Sequence, residues 1–193
     1  MFRKTCLTVL ATAAMLSGTN AFADPPTSGP FGQGTIFFHG TVTNSPCNIA
    51  PGDDALKVEF GQVSYRALKT ADATTASQPI VIHLTDCSFD PDTASPVTRP
   101  EGLMSKVKVT FTGDATSNNK GYVNTGSATN VAVQLLKNDN STPIPPGYVP
   151  TDADAQQLQP GNNELRFFAR LLALGAATPG EVKSQVTYTL TYL

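Results

Sequence analysis

The chain has 193 residues, of which 40% are hydrophobic and 15% are charged, and it contains 15 glycines and 15 prolines. This length suits one domain of ordinary size, and the frequent glycines and prolines disfavour long helices, so the composition favours an all-β domain. A formal net charge of −2 gives no basic surface for a phosphate backbone, which excludes nucleic acid as an expected partner.

The N-terminal segment, residues 1–23, has the pattern of a secretory signal peptide. Two basic residues precede the mostly apolar segment 5–16, and an A-x-A cleavage site ends at Ala23. A membrane anchor is the alternative, but the apolar segment is shorter than the roughly 20 residues that a span needs. The sequence therefore predicts export, with a mature chain that begins at Asp24.

Export leaves two cysteines, Cys47 and Cys87, because Cys6 lies inside the predicted signal peptide. An even cysteine count in an oxidising compartment predicts one disulfide between them, and two unpaired buried thiols are the alternative. Neither a C-x-x-C motif nor a histidine pair accompanies them, since His39 and His83 are isolated. The sequence therefore predicts no zinc site.

An N-terminal arm follows the cleavage site. Residues 24–34 are rich in proline and glycine, so they are expected to be flexible and to form no strand alone. From Thr35 onward the pattern becomes that of a β-strand. The positions on one parity of this region are small or apolar: Gly34, Ile36, Phe38, Gly40 and Val42.

Alternating apolar and polar residues predict six further strands. They are expected over 56–60, 80–84, 106–112, 131–135, 165–171 and 181–193. A helix is the alternative for 165–174, but a Thr-Pro-Gly turn follows closely at 178–180. Four prolines within 141–161 predict a long surface loop. Short strands separated by turns predict an antiparallel β-sandwich of immunoglobulin-like type.

The last predicted strand has one face for a core and one for water. Its outward parity is polar and includes Lys183, Gln185 and three threonines. Its inward parity carries the apolar side chains Val182, Val186, Tyr188, Leu190 and Tyr192.

The sequence carries no motif of a catalytic or nucleotide-binding site, such as G-x-S-x-G, H-E-x-x-H or a P-loop. Asp86, Asp90 and Asp92 form an acidic cluster beside Cys87, but the other ligand positions of a calcium loop are missing. The cluster is therefore expected to be a solvated turn. We expect no catalytic residue, no metal site and no cofactor.

Three blocks of the sequence carry a family resemblance. The first runs from Gly34-Thr35-Ile36 to Cys47, the second joins Phe60-Gly61-Gln62-Val63 to 82–87, and the third runs from Phe168-Ala169-Arg170 to Tyr192. Together they resemble the structural pilins of chaperone–usher (type 1-like) fimbriae of Gram-negative bacteria. Members of that family carry a glycine fourteenth from the C-terminus and a penultimate tyrosine, which here are Gly180 and Tyr192.

The resemblance implies an incomplete immunoglobulin-like β-sandwich, whose final strand is supplied in trans by donor-strand complementation. It implies a donor arm over 24–38 and a pilin domain over 39–193. Ile36 and Phe38 would anchor the arm in a neighbour's groove, and Gly34 would meet a shallow pocket there. The acceptor groove would be bordered by the C-terminal segment, with Gly180, Val182, Val186, Tyr188, Leu190 and Tyr192.

The same resemblance implies the partners. Neighbouring pilin subunits, a periplasmic chaperone that lends a strand, and an outer-membrane usher would bind the groove or the arm in turn. We therefore expect a structural subunit that is exported through the periplasm to a fimbrium at the cell surface and contributes to adhesion. A monomeric secreted carbohydrate-binding β-sandwich, with Tyr148 as its aromatic contact, is one alternative. A minor pilin that terminates assembly is another.

Overall fold

The computed structural model describes Gly29 and residues 32–193, so the predicted signal peptide lies outside the described residues. The chain divides into two units at the bond between Val42 and Thr43. Within the described ranges, the chain has no helix that combines the length and the apolar character needed to cross a membrane.

In the first unit, residues 32–42 form neither a helix nor a strand. The side chains of Ile36 and Phe38 are 75% and 90% exposed, and Val42 is fully exposed. The strand pattern predicted from Thr35 onward is therefore unpaired, because a strand needs a neighbour with which to exchange backbone hydrogen bonds.

The second unit, Thr43–Leu193, is an all-β body. Its strands are β1 (Asn48–Ile49), β2 (Gln78–Cys87), β3 (Lys106–Thr112), β4 (Tyr122–Val123), β5 (Val131–Leu136), β6 (Pro143–Ile144), β7 (Gln156–Gln157), β8 (Gly161–Ala173) and β9 (Thr187–Tyr192). Short 3-10 helices span Asp53–Ala55, Tyr65–Leu68 and Asp152–Asp154. One sheet has the order β1-β2-β8-β5-β4 with β6 beside β5, and the other has the order β7-β3-β9. All of these strand pairs are antiparallel.

The centre of the first sheet is built from β2, β8 and β5, whose inward positions carry large apolar side chains. Ile82 and Leu84 of β2 and Leu165 and Leu171 of β8 are buried. Strand β8 pairs with β2 on one side and with β5 on the other. This double pairing excludes the alternative of a helix over 165–174.

The second sheet packs on the first through β3, whose bounds are those predicted from the sequence. Val107, Val109 and Phe111 alternate inward and are buried. The Phe111 ring meets the Phe167 ring of β8 edge to face, with centroids 5.0 Å apart. One core between two antiparallel sheets is the arrangement of a β-sandwich, so this prediction is confirmed.

The predicted disulfide between Cys47 and Cys87 is present, and both residues are buried. It joins the start of the second unit to the end of β2. Beside it, the Ser88 N–H donates a hydrogen bond of 2.9 Å to the Pro46 carbonyl. The disulfide therefore secures β1, which has only two residues of its own to pair with β2.

The prediction that the proline-rich segment 141–161 is a surface loop is wrong. This segment contains β6 and β7, and Ile144 and Leu158 are buried because apolar side chains between the prolines pack against the core. The Tyr148 hydroxyl donates to the Asp154 carboxylate at 2.8 Å. The Lys137 ammonium binds the same carboxylate and holds the pKa of Asp154 well below its usual range. Tyr148 therefore anchors the segment.

Candidate strand-acceptor groove

A cleft opens along one side of the second unit. One of its walls, named here the first rim, is residues 56–64, and the other, the second rim, is residues 178–188. Two cavities of about 510 and 490 Å³ lie between the rims. Val58, Phe60 and Val182 line both cavities, which therefore form one continuous cleft.

The floor of the cleft is the hydrophobic core itself. Phe111, Val133 and Ala169 line one cavity, and Val131 and Leu171 line the other. A complete sandwich would cover such side chains with another strand, since open sheet edges and apolar patches recruit other chains. The cleft therefore lies where a further strand would pack, and it exposes the apolar core that such a strand would cover.

The structure of the first rim contradicts the strand predicted over 56–60. Residues 56–60 keep the expected inward side, with Val58 and Phe60 half-buried against the core, but they belong to no strand. In the part of the chain that the structure describes, no backbone hydrogen bond joins residues 56–63 to another segment. The pattern of a strand is present but its neighbour is absent, so this rim is an unpaired edge.

The second rim is the C-terminal segment, and its strand is shorter than the predicted 181–193. Strand β9 begins at Thr187, because residues 181–186 contact a loop instead, where the Ala128 N–H donates to the Glu181 carbonyl at 3.0 Å. Among the described strands, β9 pairs with β3 alone. Its other edge therefore has backbone groups available to one more strand.

The predicted site residues fall into three groups. Of the acceptor set, Gly180, Val182, Val186 and Tyr188 line the cavities, whereas Leu190 and Tyr192 are half-buried beyond them. Gly34, Ile36 and Phe38 of the donor set belong to the first unit and are exposed. Sequence reasoning missed the first rim as part of the site, and the only signal for it is the Phe60-Gly61-Gln62-Val63 block of the resemblance.

Gly180 lies where the second rim packs against the loop before β5. A Cβ atom built at Gly180 would lie 2.3 Å from the Ala128 nitrogen and 2.6 Å from the Ser127 carbonyl carbon. Both atoms belong to the backbone, so no side-chain rotation relieves the clash. Glycine at this position therefore allows the rim to pack against the loop.

Gly180→Ala is therefore expected to lower the free energy of unfolding by about 1–3 kcal/mol, as overpacking does. Urea unfolding measures this change. Gly175→Ala is the matched control within the second unit, because a Cβ there comes no closer than 3.6 Å to a neighbouring atom. Equal unfolding free energies for Gly180→Ala and the unaltered chain would contradict the close approach.

The charges at the cleft are balanced. Lys57 and Glu59 lie on the first rim, and Glu181 and Lys183 lie on the second, where their side chains pair at 2.9 Å. The described part of the arm, 32–42, contains one titratable side chain, that of a histidine. The cleft and the arm therefore offer apolar burial and backbone hydrogen bonds as interactions, rather than attraction between charges.

Solved structures share this fold. The chain is similar to a subunit from "Structure of a Chaperone-Usher pilus reveals the molecular basis of rod uncoiling", with a TM-score of 0.68 and 24% identity over 86% of this chain and 99% of that one. It is also similar to the P pilus rod subunit PapA, with a TM-score of 0.61 and 21% identity over 77% of this chain and 100% of that one. The predicted immunoglobulin-like fold is that of a pilin and is confirmed.

The sequence comparisons define the family. The chain is 34% identical to the type-1 fimbrial protein, A chain, of Escherichia coli, and 33% identical to the fimbrial subunit type 1 of Klebsiella pneumoniae, with 98% of both chains covered in each case. The family model described as "Fimbrial protein" matches residues 36–193. The chain belongs to the fimbrial protein family and is a structural subunit of a surface fimbrium.

Proposed function

We propose that this fimbrial subunit polymerises by donor-strand exchange. Its cleft accepts the N-terminal arm of a neighbouring subunit, and its own arm fills the cleft of another. The observation that carries this proposal is the cleft itself, which exposes the core between two edges that lack strand partners.

The arm and the second rim have matching lengths. The described part of the arm, 32–42, and the second rim, 178–188, are each eleven residues long and present six positions on one parity. Each would extend for roughly 33 Å as a strand, at about 3.3 Å per residue. The match supports an arm that fills the whole length of the cleft.

The exposed anchors extend the proposed donor strand beyond its predicted end at residue 38. Val42 shares the parity of Ile36 and Phe38, is fully exposed, and is the last residue before the second unit. We therefore take 32–42 as the pairing portion of the arm. Prolines occupy positions 25, 26 and 30 and cannot donate to a ladder, which supports a start near Gly32.

An exported subunit with an open cleft needs a covering strand at every stage, because its core would otherwise attract other chains. In the proposed route, a periplasmic chaperone lends this strand until the arm of the next subunit replaces it at the outer-membrane usher. The assembled fimbrium would then contribute to adhesion at the cell surface.

Two other functions receive less support. A monomeric carbohydrate-binding sandwich would have a complete fold, and its candidate aromatic, Tyr148, is engaged with Asp154 and Lys137. A terminator subunit would have a cleft that no arm can enter, whereas both cavities here open between the rims. A structural role also agrees with the family, whose members are fimbrial subunits rather than enzymes.

Phe38→Ser is expected to reduce donor binding and fibre formation by roughly ten- to a hundredfold, because an anchor that buries a phenylalanine contributes about 1.5–3 kcal/mol. Electron microscopy of fimbriated cells and sedimentation of purified fibres measure the loss. Phe37→Ser is the matched control, since Phe37 is 87% exposed and has the opposite parity. Equal fibre yields from the two variants would overturn the proposed inward face.

A further inference from the structure

Asp53 lies just before the first rim and is held tightly. Asp53 is buried, and its carboxylate accepts a hydrogen bond from the His83 backbone N–H at 2.5 Å. The same carboxylate oxygen lies 2.8 Å from Nδ1 of the His83 ring. Asp53 is therefore fixed to β2 in the first sheet.

The backbone carbonyl of Asp53 has a partner across the cleft. It accepts a hydrogen bond of 2.8 Å from the hydroxyl of Tyr188, whose side chain lines the cleft from β9. Burial raises the pKa of Tyr188, and the Asp53 and Asp54 carboxylates act in the same direction, so the hydroxyl keeps its proton at neutral pH. One hydroxyl thus ties the second rim to the turn that leads into the first rim.

The chain is anchored again just after the first rim. Leu68 is buried, and its carbonyl accepts a hydrogen bond of 3.0 Å from the Ala177 N–H, just before the second rim. Between Asp53 and Leu68, the segment that contains the first rim has no described ladder partner. It is therefore a segment that is fixed at two points and unpaired between them.

We infer that Tyr188 is a positioning residue of the acceptor cleft, whose hydroxyl bond to Asp53 holds the first rim in place before a donor strand arrives. This inference rests on the proposed function. Ordering a loose rim during association lowers the rate or the affinity of binding, and a rim that is already placed avoids much of that cost. Once the cleft is filled, the hydrogen bonds of the donor strand hold the rim instead.

Tyr188→Phe tests the inference, because it removes the hydroxyl and keeps the ring. A labelled peptide of residues 32–42 is added to the full chain, and fluorescence anisotropy gives its association and dissociation rates. We expect association to slow by about three- to tenfold, the size of one hydrogen bond, with little change in dissociation. Hydrogen exchange of the Asp53 and Ala55 amides, which donate to the Ala50 and Gly52 carbonyls in the turn that Tyr188 binds, is expected to speed up by a similar factor in the empty subunit.

Tyr122→Phe is the matched control, because it removes a tyrosine hydroxyl that donates to the Phe111 carbonyl at 3.3 Å, and the Tyr122 side chain lines neither cavity of the cleft. It should leave both readouts unchanged. If Tyr188→Phe behaves like this control, the inference is overturned and the proposed function stands. If the unaltered chain captures no peptide at all, the proposed function fails and the inference fails with it.

Discussion

A second copy of the arm, residues 24–42, joined after Leu193 through a flexible linker, is expected to raise the midpoint of thermal unfolding by roughly 10–30 °C. The copy would fill the cleft of its own chain and complete the second sheet. The chain should also become monomeric at all concentrations, because no cleft would remain for the arm of a neighbour.

The expected rise in the unfolding midpoint follows from the apolar side chains that anchor the arm. Burial of Ile36, Phe38 and Val42 against the open core would contribute about 1.5–3 kcal/mol for each side chain. For a chain of this length, 1 kcal/mol shifts the midpoint by roughly 2–4 °C. Backbone hydrogen bonds to β9 and to the first rim add to this, since both edges lack partners in the described structure.

The control carries the same linker and arm copy, with serine in place of Ile36 and Phe38 of the copy. It separates the filling of the cleft from the mere addition of residues, and its midpoint should stay near that of the unaltered chain. Differential scanning calorimetry and light scattering give the two readouts. Equal midpoints for all three chains would mean that the fold is already complete, which would favour a monomeric secreted binding module.

Local patterns were sufficient to predict the longer strands whose partners lie in the same chain, but not the two-residue strands β1, β4, β6 and β7. Strand β3 has the predicted bounds because its two faces meet different surroundings, with Val107, Val109 and Phe111 inward and lysines and threonines outward. Strand β8 also follows its pattern, since neighbours on both sides secure it.

The same patterns could not reveal which strands would lack a partner. Residues 56–60 have a strand pattern, yet their neighbour is absent, and periodicity describes faces rather than hydrogen-bonded edges. The contact between Tyr188 and Asp53 joins positions 135 residues apart, so it depends on the folded topology. The family resemblance, rather than periodicity, indicated that a groove exists.

Loss of the disulfide is expected to cost about 4 kcal/mol of unfolding free energy, because Cys47 and Cys87 are separated by 40 residues and the chain-entropy model assigns this stabilisation to a loop of that length. The cross-link stabilises a weakly paired strand, since β1 pairs with β2 through only two residue pairs. The segment after β1 leads to Asp53 and the first rim, so the loss should also loosen the cleft.

The double variant Cys47→Ala/Cys87→Ala, compared with the unaltered chain by urea unfolding, measures this cost. The unaltered chain with its disulfide chemically reduced is the control, and it should match the double variant because both lack the cross-link. The strands of the first sheet would remain paired, so the midpoint should fall without loss of a cooperative transition. A difference below about 1 kcal/mol would show that residues 47–87 already stay close together in the unfolded chain, which would contradict the entropic origin of the stabilisation.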